Sequence, residues 1–274
     1  MREQHNQGAS SIRNAFALSK AQKRCAILPF ITAGYPSLAA SERLLQGLAD
    51  AGADLVEVGF PFSDPISDGP VIAESMHSAL VAGVTPDSVF DMVKRAQAKS
   101  RDGSVLPLLA MVSISIVNRM GRDAFIARAV DAGFAGFIIP DADPFDAEQL
   151  SQQAHNAGAA YCALVAPTTP ASRLETVARI STCFIYLLAR AGVTGERSEA
   201  PEIAERVQAL RRITDAPIAA GFGISTAQHI AAVGEHADGA IIGSAIVRTM
   251  SRAIEANSDP VAAALALVAT YRAE

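Results

Sequence analysis

The sequence lacks the features of several protein classes. It has no excess of basic residues, since 23 Lys and Arg stand against 28 Asp and Glu with both signs interspersed. Nucleic-acid binding needs a basic stripe along the phosphate backbone, so it is not expected. No apolar run is long enough to cross a bilayer, and residues 1–7 lack the apolar core of a signal peptide. We therefore expect a soluble, cytoplasmic protein.

Residues that bind metals or attack substrates covalently are also few. Cys25, Cys162 and Cys183 lie far apart in or beside apolar runs, as reduced core thiols do. The histidines are scattered without the spacing of a zinc site, so no metal is predicted, and we expect them at the surface or on helix flanks. No Gly-x-Ser-x-Gly surrounds Ser63, and no Lys lies in a predicted strand. Nucleophilic catalysis is therefore disfavoured.

The sequence does contain a regular alternation of two kinds of segment. Half of its 274 residues are hydrophobic, which suffices for a large core. Short β-rich runs alternate with longer segments whose apolar residues recur every three or four positions, which predicts parallel strands joined by helices. Eight strands are predicted, over residues 27–32, 55–59, 106–112, 136–140, 160–165, 183–188, 217–221 and 239–242.

Turn residues support this pattern. A glycine stands after a helical segment and before the next strand at three places: Gly52, Gly133 and Gly158. Since no low-complexity linker divides the chain, residues 1–274 are predicted to form a single domain, an α/β fold of the (β/α)8 TIM-barrel type. An extra N-terminal helix with Ile12, Phe16 and Leu18 is expected to cap the amino-terminal mouth of the barrel. A closing helix is predicted over residues 260–271.

A carboxylate-rich loop follows the second predicted strand. Glu57 lies near the end of that apolar strand, and Asp64 and Asp68 follow in the loop. An unpaired buried carboxylate is costly and its pKa rises, so its presence needs a reason. A carboxylate that only ties down the proline-rich turn is one reason. Barrel active sites are built from the loops after the strands, and this position favours acid–base chemistry.

Three glycine-containing segments follow the last three predicted strands, at residues 192–195, 221–225 and 243–247. Glycine lets the backbone approach an anion, and the free N–H groups of a helix start donate to it. Gly243 and Ser244 are predicted to begin a short phosphate-binding helix after strand 8. Ordinary tight turns would also use glycine, but two such loops at these places favour a phosphorylated ligand.

Seven segments carry the pattern of a known family. They read LPFITAGYP at 28–36, EVGFPFSDPISDGP at 57–70, AGVT at 82–85, APTTP at 166–170, RAGVTG at 190–195, GFGIS at 221–225 and GSAIV at 243–247. With them, nearly the whole chain resembles the tryptophan synthase alpha subunit family. The resemblance implies retro-aldol cleavage of indole-3-glycerol phosphate to indole and glyceraldehyde 3-phosphate in L-tryptophan biosynthesis, with neither metal nor cofactor. It also implies a pyridoxal-phosphate beta subunit as partner, in an alpha2beta2 assembly.

The resemblance implies roles for individual residues. Glu57 matches the general acid/base, and Asp68 matches the carboxylate that contacts the indole N–H. Phe30 and Tyr186 match an apolar wall and a tyrosine of the indole site, and Asp64 matches a loop residue that communicates with the partner. The other positions assigned to substrate binding are Thr194 and Gly195, which with Arg190 belong to a closing loop, and Phe222, Gly223, Gly243 and Ser244.

One region departs from the family pattern. After strand 3 the family usually carries a Tyr and an Asn in a loop facing the beta subunit, whereas this chain has Val112 and Ile114. We expect residues 112–117 to expose branched apolar side chains to an altered partner surface, with Ile114 in the interface. Their alternation with Ser would also suit an extension of strand 3. The residues beside Asp141 differ from the family as well.

Three other functions remain open. A standalone lyase that releases free indole is supported only by the altered segment after strand 3. A non-catalytic regulatory barrel would have no need of two costly carboxylates, Glu57 and Asp68. Another phosphosugar enzyme built on a barrel fits the glycine loops, but it does not fit residues 57–70.

Overall fold

The strands of the chain form one closed parallel sheet in a computed structural model that describes residues 6–65, 69–96, 105–189, 203–221 and 223–272. The sheet order is β5-β4-β3-β2-β1-β9-β8-β7-β6. The terminal members β5 and β6 are halves of one strand, so the sheet closes as an eight-stranded barrel. The strands are β1 (Ala26–Thr32), β2 (Val56–Gly59), β3 (Leu108–Met111), β4 (Gly136–Ile138), β5 (Ala160–Cys162), β6 (Leu164–Val165), β7 (Ile185–Leu188), β8 (Ile218–Gly221) and β9 (Gly239–Ile242).

All eight predicted strands are present, but the fifth is broken at Ala163. The Ala163 N–H donates to Ser181 Oγ at 3.1 Å, so it does not donate to a neighbouring strand. The expectation of one continuous strand over residues 160–165 was wrong for this reason, since a side chain outside the sheet competes for the backbone. Strands β3 and β4 are also shorter than predicted.

Helices cover the outside of the barrel and its amino end. They are α1 (Gln7–Ala21), α2 (Leu38–Ala51), α3 (Pro70–Val81), α4 (Pro86–Ala96), α5 (Ile114–Met120), α6 (Arg122–Ala132), α7 (Pro144–Asn156), α8 (Ala171–Ile180), α9 (Ala204–Arg211), α10 (Ala227–Gly234), α11 (Ser244–Glu255) and α12 (Pro260–Thr270). The predicted glycines Gly52, Gly133 and Gly158 have φ of 110°, 107° and 81°, as left-handed residues at helix ends do. Among the described helices, none is long and apolar enough to span a membrane.

The core has an inner and an outer layer. Leu28, Leu55 and Leu109 are fully buried inside the barrel, while Leu44 and Leu48 of α2 pack in the outer layer between sheet and helices. Burial of each such side chain contributes about 1.5–3 kcal/mol to folding. The alternation of inward and outward residues along each strand therefore determines which side chains face the interior at the carboxyl end.

Helix α1 closes the amino end of the barrel. Ile12 is completely buried, and the Phe16 ring lies 5.3 Å from the Phe184 ring inside the barrel. The backbone itself is in contact, because a Cβ atom on Gly8 would lie 2.0 Å from the Ala135 carbonyl oxygen. The predicted cap is confirmed for Ile12 and Phe16. The expectation for Leu18 was wrong, since that side chain is 58% exposed.

The segment after β3 is neither an exposed loop nor a continued strand. Helix α5 begins at Ile114, and both Val112 and Val117 are buried. Asp141, which follows β4, accepts hydrogen bonds from Ser113 Oγ at 2.6 Å and from the Ile114 N–H at 2.9 Å. This carboxylate holds the helix start, so the expected exposed loop and the expected extension of strand 3 were both wrong, while the interface role of Ile114 stays a prediction. Ile114 itself is half-buried.

The thiols and one histidine lie inside the fold. Cys162 and Cys183 are buried free thiols and Cys25 is half-buried. Burial raises the pKa of Cys25 to about 12, which keeps this thiol protonated. His229 of α10 is buried, against the expectation of a surface position, and its Nδ1 accepts a hydrogen bond from the Ser225 N–H at 3.4 Å.

Candidate active site

Glu57 is a buried carboxyl group inside the barrel. It follows Leu55 by two residues, and Leu55 faces the interior, while Val56 and Val58 pack in the outer layer. Glu57 is 0% exposed, and neither of its carboxylate oxygens has a hydrogen-bond partner within the described ranges. Burial raises the pKa of Glu57 well above its usual value. Burial therefore favours the protonated form of this group, and no hydrogen bond within the described ranges accounts for its position.

Phe30 lies beside Glu57 at the carboxyl end of the barrel. The parallel register of β1 and β2 pairs Phe30 with Glu57 and Thr32 with Gly59. The Phe30 ring covers Gly59, since a Cβ atom there would lie 2.5 Å from Phe30 Cζ. The sequence-predicted apolar wall is thus brought next to the predicted acid.

Tyr186 faces the same interior from β7. It is 4% exposed and packs in the inner core with Cys162 and Cys183. A Cβ atom on Gly221, at the end of β8, would lie 2.6 Å from the Tyr186 hydroxyl. The glycine at the end of β8 therefore leaves the room that the tyrosine hydroxyl occupies.

Helix α11 begins directly after β9 with an open amino terminus. Ile246 and Val247 donate the first helical hydrogen bonds to the Gly243 carbonyl, so the Ser244 and Ala245 N–H groups precede the helical ladder. A Cβ atom on Gly243 would come no closer than 3.4 Å to Phe30, and the φ of Gly243 is −116°. Neither packing against the described residues nor the backbone requires glycine here. The space suits an anion at the positive end of the helix dipole.

Other predicted site residues have mixed outcomes. Gly223 has φ 83°, a conformation that glycine adopts without strain. Helix α11 has 12 residues and is longer than the short helix expected after the last strand. Five positions named from the sequence lie outside the described residues: Asp68, Arg190, Thr194, Gly195 and Phe222.

The two predicted interface residues follow β2 and β3 at the carboxyl end of the barrel, Asp64 in a loop and Ile114 at the start of α5. Asp64 is exposed and forms no ion pair with any residue that the structure describes. Ile114 follows β3, and the next strand, β4, leads into α7, whose Phe145 is 72% exposed. Phe145 was not singled out in the sequence, although an apolar residue in the first turn of a helix that begins Asp-Pro is a recognisable signal.

Sequence reasoning also missed the cover of the barrel mouth. Ile72 and Met76 of α3 form a buried cluster with Phe30 and with Val247 of α11. Their spacing of four residues places both on one face of α3. That spacing could have revealed the buried face, but only the fold shows that it lies on Phe30.

The site described so far contains a buried carboxyl group that can transfer a proton next to an apolar wall. It also contains a helix start, at Gly243 and Ser244, that can bind an anion. A family model described as "Tryptophan synthase alpha chain" matches residues 16–273. A tryptophan synthase alpha chain from Solibacter usitatus is 41% identical over 245 residues, which cover 89% of this chain and 90% of that protein. This chain belongs to the tryptophan synthase alpha chain family.

Two further comparisons bear on the fold and on the length of the family's members. The crystal structure of tryptophan synthase subunit alpha from Legionella pneumophila has a TM-score of 0.86 and 31% identity, and the match covers 96% of this chain and 97% of that chain. A protein from Saccharomyces cerevisiae named tryptophan synthase is 39% identical over 241 residues, which cover 87% of this chain but 34% of that protein. The tryptophan synthase alpha chain resemblance and the (β/α)8 barrel are confirmed, while the roles of single residues stay predictions.

Proposed function

We propose that this chain cleaves indole-3-glycerol phosphate to indole and glyceraldehyde 3-phosphate, with Glu57 as the group that transfers protons. This is the alpha reaction of tryptophan synthase, a carbon–carbon lyase step of tryptophan biosynthesis. The observation that carries the assignment is the Glu57 carboxyl, which is buried inside the barrel, two residues before the carboxyl end of β2, without a hydrogen-bond partner among the described residues. Groups with strongly perturbed pKa values in such places are typical of catalytic sites.

The reaction makes three demands on the protein. Carbon 3 of the indole must be protonated, the charge that develops on the ring nitrogen must be stabilised, and a glycerol hydroxyl must lose its proton. Burial raises the pKa of Glu57, which favours the protonated form that can act as an acid. Glu57 can give its proton to the ring and accept another from the hydroxyl. We assign the stabilising negative charge to Asp68, on the family resemblance.

Substrate binding divides between two ends of the site. Phe30, which pairs with Glu57 in the sheet register, and Tyr186, which faces the same interior from β7, supply buried aromatic surface that suits an indole ring. The start of α11 at Gly243 and Ser244, with Gly223, suits the phosphate. Thr194, Gly195 and Phe222 are assigned to substrate binding on the resemblance alone.

The partner proposed for this chain is a tryptophan synthase beta subunit, in an alpha2beta2 assembly. The longer yeast relative, which carries the name of the whole enzyme, supports the association, because this chain corresponds to about a third of it. Asp64 and Ile114 are the proposed contacts. A standalone indole-releasing lyase, for which the altered segment after β3 is the only support, is the alternative. The single domain 1–274 and the cytoplasmic location stay predictions.

The test is an assay of indole release from indole-3-glycerol phosphate by the purified chain, with and without the beta subunit of the same organism. We expect basal release that rises when the beta subunit is added. Basal turnover that is already high and does not respond to the beta subunit would favour the standalone lyase. No release under either condition, with the substrate analogue indole-3-propanol phosphate still bound, would favour the regulatory barrel.

A further inference from the structure

Helix α3 is seated on the barrel mouth by a small apolar contact. Ile72 and Met76 are 2% and 5% exposed, and they pack on Phe30 and Val247. This cluster is separate from the barrel interior and from the outer core. The position of the first two turns of α3 therefore sets how much room surrounds the Phe30 ring.

A directed chain of hydroxyl groups crosses this contact. Thr32 Oγ1 lies 2.7 Å from Ser75 Oγ, and Ser75 Oγ donates to the Ile72 carbonyl oxygen at 2.7 Å. Because a serine hydroxyl has one hydrogen, which here goes to Ile72, the Thr32 hydroxyl must donate to Ser75. Thr32 is 3% exposed and Ser75 is 1% exposed, so neither hydroxyl can find water instead.

The position of Thr32 connects this chain to the active site. Thr32 ends β1 and follows Phe30 by two residues, so both side chains lie on the same face of the strand. Apolar contacts alone would let α3 slide, because the hydrophobic effect has no direction. A hydrogen bond fixes both distance and angle. The hydroxyl chain therefore fixes α3 relative to the strand that carries Phe30.

We propose that Thr32 and Ser75 are positioning residues of the indole pocket. Their hydroxyl chain holds Ile72 against the Phe30 ring, and the fit of that ring sets the affinity for the indole part of the substrate. Neither residue touches the reacting atoms, and both act through Ile72 and Phe30. The inference rests on the proposed function, since it assumes that the Phe30 wall binds an indole ring.

The test compares the variants Ser75→Ala, Thr32→Val and the double variant. Ser75→Ala leaves the Thr32 hydroxyl buried without its acceptor, so KM for indole-3-glycerol phosphate should rise about three- to tenfold. Thr32→Val should have a smaller effect, because the bond from Ser75 to Ile72 survives. The double variant leaves no orphaned donor, so its KM should be lower than that of Ser75→Ala.

The split between KM and kcat separates positioning from simple destabilisation. Partial unfolding lowers the concentration of active enzyme, which lowers the apparent kcat and leaves KM unchanged. Thr32→Ser keeps the donor and should keep the wild-type KM, and Ser78→Ala, at an exposed position of the same helix, is the matched control. An unchanged KM in Ser75→Ala, or a double variant whose effects simply add, overturns the inference.

Hydrogen exchange supplies a readout that does not depend on turnover. Ser75→Ala should speed amide exchange in α3 and leave α12 unchanged, because only α3 loses its link to β1. Equal exchange in the variant and the wild type overturns the positioning role. A further outcome is that the wild-type chain releases no indole while Ser75→Ala still shows faster amide exchange in α3. That pair of results would contradict the proposed function and leave the link between β1 and α3 standing.

Discussion

The Phe30 ring fills the space that a side chain on Gly59 would need. A Cβ atom on Gly59 would lie 2.5 Å from Phe30 Cζ and 2.6 Å from Cε2, well inside contact distance. Gly59 is the last residue of β2 and Phe30 lies on the neighbouring strand, so the two are held together by the register of the barrel. The absence of a side chain at one position is what allows the aromatic wall at the other.

Gly59→Ala should therefore displace the Phe30 ring. We expect a loss of about 1–3 kcal/mol in the free energy of unfolding, as overpacked cores show, together with a raised KM for indole-3-glycerol phosphate. Denaturant unfolding and steady-state kinetics measure the two effects. Adding Phe30→Leu should recover stability but not substrate affinity. If Gly59→Ala keeps the wild-type free energy of unfolding and the wild-type KM, the Phe30 ring can adopt another position without affecting either.

Glu57→Gln should remove lyase activity and leave the fold intact. The amide has nearly the same shape but cannot transfer a proton, so we expect turnover to fall by about 10²–10⁴-fold or more. Glu74→Gln, at an exposed position of α3, is the control and should keep wild-type turnover. Turnover of Glu57→Gln within a few-fold of wild type would remove this residue from the mechanism.

The buried Glu57 carboxyl should also make stability depend on pH. Its pKa is raised in the folded chain above the usual 4.5, so the folded state keeps a proton that the unfolded state releases. This contribution to stability is complete below pH 4.5 and is lost as the pH rises towards the folded pKa, at about 1.4 kcal/mol per pH unit. The Glu57→Gln variant does not lose stability in this way, because its amide does not titrate. Unfolding measured between pH 4 and about 8 should thus show the variant gaining on the wild type as the pH rises; parallel curves would contradict a protonated Glu57.

Gly243→Ala should weaken phosphate binding at little cost in stability. Its Cβ atom would lie 3.4 Å from Phe30, an ordinary contact, so the fold has room for it. A phosphate held against the N–H groups of Gly243 and Ser244 would lose that close approach. Calorimetric titration with glyceraldehyde 3-phosphate should show weaker binding, and KM for the substrate should rise in parallel. Unchanged affinity for both would mean that the glycine only shapes the turn.

Asp64→Asn should uncouple the chain from its partner without changing basal cleavage. Asp64 is exposed and has no ion pair among the described residues, so its loss should cost the isolated chain little. We expect the rise in turnover on adding the beta subunit to shrink, because the contact loses its charge. Asp131→Asn, an exposed carboxylate on α6 paired with Lys94, serves as the control. An undiminished response in Asp64→Asn would remove this residue from the interface.

Local patterns were sufficient to predict the barrel and the buried acid. The order of strands and helices and the place of Glu57 within β2 depend on residues close in sequence, and those predictions hold. The break at Ala163 and the helix that begins at Ile114 depend on Ser181 and Asp141, which are distant in sequence. Periodicity carries no information on such partners, and the same reason hid the contact between Thr32 and Ser75.

The docking of α1 imposes an order on the folding of the chain as it is synthesised. Gly8 donates its N–H to the Gly158 carbonyl at 3.0 Å, and Phe16 packs on Phe184, so part of the binding site of the first helix is made of residues far along the chain. At about 5–20 residues per second, a ribosome needs on the order of 10–30 s to add the roughly 170 residues between Phe16 and Phe184. The Phe184 ring does not yet cover Phe16 during that interval. The first helix to be translated thus completes its docking late, and the nascent chain carries a partly uncovered apolar stripe until most of the barrel has been made.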